Sequence, residues 1–335
     1  MRFADWLLHQ LGRDDLTTAA LTASAAAAAA TVVESYLNVT VLHDTRCRVR
    51  PSEHDRPRRQ YVFIMTDEHR SSYFGLALQL AIGSLLCTLP RYGVTVLLSD
   101  DFDMQDHFFR LVGARGVRIK RVPMISWDSE RSRLSMVRRN EPTAARAGFF
   151  KLHVFNQSEF DEIAAIDADF VFRHNVDSVF DWCHSDMCAT PDPRAKLLTG
   201  ITTEYVPGDS PAGWNAGFFV TRLQNRRGSR AAADISALMR QWANFTHGRP
   251  RYESEQRSFN RIWPPHVVQS IPKMFDLQHV GTETDLKEAL QAMNGSASEA
   301  RAFHAKFWEL KLPYLCWMLN ATRSGAIDAC VPGDT

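Results

Sequence analysis

From Tyr61 onward the chain alternates short apolar runs with amphipathic stretches: YVFIM, then Tyr73 to Leu89, VTVLL, Asp101 to Leu111 and VRIKRV. Apolar runs of this length bounded by helical patterns read as a βαβαβ opening. Strands without polar alternation are buried on both faces, which predicts an α/β fold with a mixed, mostly parallel sheet and helices on both faces. The pattern continues with a helix near Ala144 to Asn156, a strand at EIAAID, a strand at GFFVTR, and helices near Arg230 to Phe245 and Thr284 to Met293. Two longer loops, Pro123 to Pro142 and Pro191 to Gly213, interrupt it, and such loops serve either as binding segments or as surface insertions.

The first 57 residues follow neither pattern. Leu16 to Val33 is uncharged and nearly long enough to span a bilayer, but it consists mostly of Ala, Thr and Ser. Membrane anchoring, a cleaved signal peptide and an Ala-rich helix or tail all remain open readings of it. Residues 44 to 59 are rich in Arg and Pro and lack apolar periodicity, the composition of a solvated tether. The expected organisation is therefore an N-terminal segment over residues 1–57, one domain over 58–320 and a tail over 321–335.

Composition narrows the function. Lys and Arg number 39 against 38 Asp and Glu, so no global field draws the protein to nucleic acid. The six cysteines contain no CxxC pair, which argues against zinc and leaves one or two disulfides open. Asn-x-Ser/Thr sequons fall at Asn38, Asn156, Asn244, Asn294 and Asn320, where ten asparagines would give about one by chance. That excess favours a glycoprotein of the secretory pathway, placed in the Golgi membrane if the N-terminus anchors it; a cytoplasmic location is the alternative.

The strongest chemical signal is EIAAIDADFVF, an apolar strand running into Asp167-Ala168-Asp169. Two carboxylates one residue apart at a strand end can face one hard cation if the backbone turns between them. Burial behind a strand is costly for acids unless a cation or donors compensate. His304, beside Phe303 and Phe307, would by itself read as a core histidine, and Asn215 and Lys151 as a turn residue and a snorkelling surface lysine.

The run FFKLHVFNQSEFDEIAAIDADFVFRHNVDSVFD resembles the corresponding block of glycosyltransferase family 8, the glycogenin-like enzymes. Lys151 and Leu152, Asp167 and Asp169, and Asn175, Asp177 and Phe180 fall in its register. WNAGFFV at Trp214 to Val220, SEQRSFN at Ser254 to Asn260 and HAKFWELKLP at His304 to Pro313 follow in the family's order, so the likeness spans about residues 60–317. The chain departs from the family at Phe307 and Trp308, where a Gly is usual, and at Glu255, where the family carries Asp.

The resemblance implies a GT-A fold and a retaining hexosyltransferase that moves a sugar from a UDP-sugar to a glycan, polysaccharide or small polyol. It implies Asp167, Asp169 and His304 as ligands of Mn (or Mg), with Ala168 beside the nucleotide and Lys311 on the diphosphate. Thr66, Asp67 and Tyr73 fall where the family contacts uridine, and Lys151, Asn215, Glu255 and Gln256 surround the transferred sugar. Two alternatives stay open on the same fold: a self-glucosylating primer enzyme, with Tyr205 as acceptor, and an inactive nucleotide- or glycan-binding module. Homodimer formation is a further open expectation.

Overall fold

The computed structural model describes residues 47–49, 58–66, 73–100, 102, 107–124, 150–192, 213–223, 259–260, 262–278 and 300–304. The expected opening is present: β1 (Arg59–Met65), α1 (Tyr73–Cys87), β2 (Gly93–Ser99), α2 (His107–Ala114) and β3 (Val117–Val122). Then come β4 (Glu162–Ile166), β5 (Phe170–Phe172), the short α3 (Val179–Trp182), β6 (Met187–Pro191), β7 (Trp214–Arg222), β8 (Gln269–Ser270), β9 (Leu277–Gln278) and β10 (Ala302–His304). Seven strands form the central sheet in the order β3-β2-β1-β4-β7-β6-β8; β5, β10 and β9 form a second, small sheet. β7 runs antiparallel to both β4 and β6, while the remaining pairs of the central sheet are parallel.

Alternate residues of the central strands enter two separate cores. Tyr61, Phe63, Ala164, Ile166, Phe218 and Val220 pack on one face. Val62, Ile163, Ala165 and Phe219 pack on the other, with Phe155 and Trp263. This is why these strands read as unbroken apolar runs. Helix α1 is apolar nearly all round, and from Ala77 to Leu86 its residues are buried but for the half-buried Gln79, as a helix without a polar face must be. Its Ser84 hydroxyl accepts the Phe172 N–H at 3.0 Å and donates to the Ala81 carbonyl at 3.1 Å, tying β5 to the helix. The Asn175 and Asp177 turn after β5 is fixed likewise: Asp177 accepts from the Tyr61 hydroxyl at 2.7 Å and from the Arg91 N–H at 3.0 Å.

The strand expected to end at Asp167–Asp169 is β4, and beyond that turn the chain continues as β5 in the small sheet. Two expectations are corrected. The described part of the helix expected near 144–156 is a 3-10 helix over Lys151–Asn156, with five buried residues in succession and so no exposed face. Residues 47–49, read as solvated tether, pack on the domain: Cys47 and Val49 are buried, Cys47 is disulfide-bonded to Cys87, and Val49 N–H donates to the Arg115 carbonyl at 3.2 Å. Arg and Pro around them set the local composition, but two buried side chains suffice to dock the segment. A second disulfide joins Cys183 to Cys188.

No helix among the described residues is long and apolar enough to cross a membrane. Residues 16–33 lie outside the described residues, as do Tyr205 and the helices expected near 230–245 and 284–293.

Candidate metal and donor site

The site forms where the two sheets meet, at the carboxyl ends of the parallel strands, the usual place for ligands in an open α/β sheet. Asp167 follows β4, and its N–H donates to the Gly217 carbonyl of β7 at 2.8 Å. Asp169 immediately precedes β5, and His304 ends β10, which pairs antiparallel with β5 so that His304 lies opposite Phe170. One ligand atom from each of Asp167, Asp169 and His304 falls within 4.8 Å of the others. Two carboxylate oxygens and one imidazole nitrogen can together hold a divalent cation, the carboxylates being the ligands that suit Mn or Mg.

Each of the three side chains is held by its neighbours. Lys151, buried in the 3-10 helix, reaches Asp167 Oδ1 at 2.6 Å and donates to the Ala216 carbonyl at 3.0 Å. His304 Nε2 lies 3.2 Å from Asp169 Oδ1, and Nδ1 lies 3.4 Å from Asp276 Oδ1. The imidazole stacks on Phe170 with centroids 4.5 Å apart. Asn215 Oδ1 accepts the Gly217 N–H at 2.6 Å, closing a local turn along β7 next to the His304 ring. Asp167 is the most open of the three ligands, with 30% of its side chain exposed against 12% for Asp169 and His304, so solvent reaches the cluster from its side.

Burial alone disfavours the imidazolium, but Asp169 and Asp276 overcome it and hold the His304 pKa well above the usual imidazole range. Burial likewise pushes Asp169 up, and His304 above all outweighs it, so the carboxyl lies below its ordinary value. The stabilisation from raised His304 is complete below its unfolded pKa of about 6.5 and lost as pH rises through the higher folded value; that from depressed Asp169 is present above about 3.9 and lost as pH falls through the lower folded value. In the metal-free protein the pair thus contributes most between about pH 4 and 6.5. A metal requires the neutral imidazole, so binding expels a proton. Mn affinity should therefore climb with pH below the raised His304 pKa, by up to about tenfold per unit. Mn titrations followed by electron paramagnetic resonance at pH 6, 7 and 8 read this directly, and a flat affinity across that range contradicts His304 ligation.

Asp167, Asp169 and Asp276 outnumber Lys151 and protonated His304 by one charge. Exchanging the His304 proton for a dication brings the cluster to neutrality, a balance a buried site favours.

Thr66 is buried just beyond β1, at the same end of the sheet. Ala168 is half-buried between the two acids and packs against the core. Tyr73 opens α1, and its side chain is outside the described residues, as are Asp67, Glu255, Gln256 and Lys311. Sequence reasoning missed Gly217, Thr190 and Asp276. A glycine inside the apolar WNAGFFV run was a signal of close approach; an acid between Phe275 and Leu277 was a weaker one.

The mostly parallel seven-stranded sheet, with its antiparallel β7 and acidic turn, is the architecture of GT-A type glycosyltransferases. Two crystal structures of LgtC share the fold. One, an active-site mutant, matches with a TM-score of 0.51 at 14% identity, over 74% of this chain and 87% of its own. The other, the galactosyltransferase LgtC in complex with donor and acceptor sugar analogues, matches at 0.50 and 12%, over 80% of this chain and 98% of its own. Mouse xyloside xylosyltransferase 1 in its apo form gives 0.47 and 12%, over 74% and 97%. No protein-family model matches the chain, and no curated protein matches its sequence.

Proposed function

We propose that the protein is a retaining, metal-dependent hexosyltransferase of the family 8 kind, using a UDP-sugar. The observation that carries this reading is the convergence of Asp167, Asp169 and His304 at the carboxyl ends of the strands of a GT-A fold. LgtC, of the same fold, has been crystallised with donor and acceptor sugar analogues.

Breaking a glycosyl phosphate bond leaves negative charge on the diphosphate and positive character on the anomeric carbon. A bound dication supplies the charge that neutralises the departing diphosphate. Asp167, Asp169 and His304 would hold it, and on the family resemblance Lys311 would add a second cation on the diphosphate. Thr66, Asp67 and Tyr73, after β1, bind uridine. The family resemblance assigns Glu255 and Gln256 to the transferred sugar, whose anomeric carbon becomes cationic. Lys151 acts on the donor through Asp167, whose carboxylate it pins, and Asn215 through Gly217, whose amide it fixes.

The full chain incubated with Mn and a panel of UDP-sugars should release UDP from one donor above all others, and EDTA should stop it. A glycan, polysaccharide or small polyol added as acceptor should raise that rate. UDP and Mn that bind without any turnover across donors and acceptors would replace this reading with a binding module.

The secretory pathway, with the Golgi membrane as the site of action, is proposed on two grounds. Cys47–Cys87 and Cys183–Cys188 are disulfides of a kind that persists in oxidising compartments. Of the sequons, Asn156 is exposed at the end of the 3-10 helix, with Ser158 exposed after it. The chain expressed in a secretory host should lose mass on treatment with peptide N-glycosidase, and Asn156→Gln should remove one glycan of that loss. An unaltered mass would count against this location.

A further inference from the structure

We propose that Asp276, held in place by Thr190, is the positioning residue that makes His304 a metal ligand, by keeping its ring turned and its proton on Nδ1. The proposal rests on the reading of Asp167, Asp169 and His304 as a cation site.

The Asp276 carboxylate is wholly buried, with none of its side chain exposed. An acid in that position is costly unless donors surround it, and an apolar residue would pack the gap between Phe275 and Leu277 at lower cost. Its surroundings give it a task. Thr190, on β6 of the central sheet, donates its hydroxyl to Asp276 Oδ2. Oδ1 faces His304 Nδ1 at 3.4 Å. Asp276 precedes β9, which pairs in parallel with β10 and sets His304 opposite Gln278, so the same small sheet delivers both residues.

A carboxylate can only accept. Opposite Nδ1 it selects the neutral imidazole that carries its proton there, which leaves the Nε2 lone pair directed to the side of Asp169, where a cation would sit. Partners of this kind on the far nitrogen fix the tautomer and orientation of ligating histidines and raise their basicity. Phe170 supports the ring's face and Gly217 lies by its Cε1 edge; neither decides which way round the ring sits, and Asp276 adds that constraint.

The test is a cycle of Mn affinities, read by electron paramagnetic resonance on the full chain in four forms: unchanged, Asp276→Asn, His304→Ala and the double variant. The isosteric amide can donate to Nδ1 and stabilise the wrong tautomer, so Asp276→Asn alone should weaken Mn binding about 10- to 100-fold. In the His304→Ala background the same change should cost less than about threefold, since its route of action is gone. Thr190→Val should weaken binding in the same direction by less, and should also lose its effect without His304; it carries the cycle if Asp276→Asn does not fold. Equal losses in both backgrounds would show Asp276 acting only as a nearby charge and overturn the proposal, as would unaltered affinity in Asp276→Asn. An unchanged protein that binds no Mn overturns the cation site itself, an outcome distinct from the other two.

Discussion

Asp169→Asn should abolish the stabilisation that Mn and UDP together give the protein, and with it sugar transfer. A ligand held only by the folded state at about one hundred times its dissociation constant stabilises by about 2.7 kcal/mol, which for a domain of this size raises the melting temperature by about 5 to 10 °C. Asp169 is a ligand candidate and the charge that faces His304 Nε2 at 3.2 Å, so its loss removes one donor and disturbs another. If affinity falls about 100-fold, the same ligand concentration stabilises by only about 0.4 kcal/mol, a shift of about 1 °C. Transfer should fall by at least the factor of about 10² to 10³ seen when one group facing the developing charge is deleted. The comparison belongs above pH 6.5, where the stabilisation from the raised His304 begins to fall, and each protein's ligand-induced shift is read against its own unliganded melting temperature. A variant that keeps the full ligand-induced shift would remove Asp169 from the cation site. Asp167→Asn makes a useful companion: it leaves Lys151 buried without its carboxylate partner at 2.6 Å, so its unliganded melting temperature should fall as well.

The central sheet was legible because burial on both faces leaves a simple signature. Tyr61 to Met65 is apolar at every position and Val94 to Leu98 at every position but Thr95, and no amphipathic helix reads that way. The acidic turn was legible for a related reason: two acids directly behind such a run stand out against it. What the sequence could not disclose was that the run changes sheets at Asp167–Asp169, since Phe170, Val171 and Phe172 are as apolar as the strand before them. The two- and three-residue strands β8, β9 and β10 are too short to carry any periodicity, and only their pairing places Asp276 beside His304. Lys151 was legible as important but not as a partner of Asp167, because a lysine on a six-residue 3-10 helix has no facing that sequence spacing sets. Cys47 was misread for the opposite reason, that its arginine-rich neighbours outweighed it in composition although the disulfide with Cys87 and the burial of Val49 decide where the segment lies.

Gly217→Ala tests the packing of the site without replacing any candidate ligand, and it should weaken Mn binding while sparing the fold. A Cβ on Gly217 would lie 2.4 Å from His304 Cε1, 3.1 Å from Nδ1 and 2.8 Å from Asn215 Oδ1, where ordinary carbon contacts begin at about 3.5 Å. The backbone cannot withdraw, because β7 is an interior strand with β4 on one side and β6 on the other. Asn215 is drawn inward by the Gly217 N–H itself, so relief of the clash falls on the His304 ring. The clash should cost about 1 to 3 kcal/mol, set against about 0.4 to 1 kcal/mol returned by the stiffer unfolded chain. Melting of the metal-free variant should therefore drop by only a few degrees. Turning His304 off Phe170 and away from Asp276 should nevertheless weaken Mn binding about 10- to 100-fold, as disturbance of a ligand's surroundings does elsewhere. In a His304→Ala background the nearest obstructing atom is absent, and the same substitution should change melting and Mn affinity far less. A Gly217→Ala protein that binds Mn as tightly as its parent would mean that His304 does not ligate from the position it occupies here.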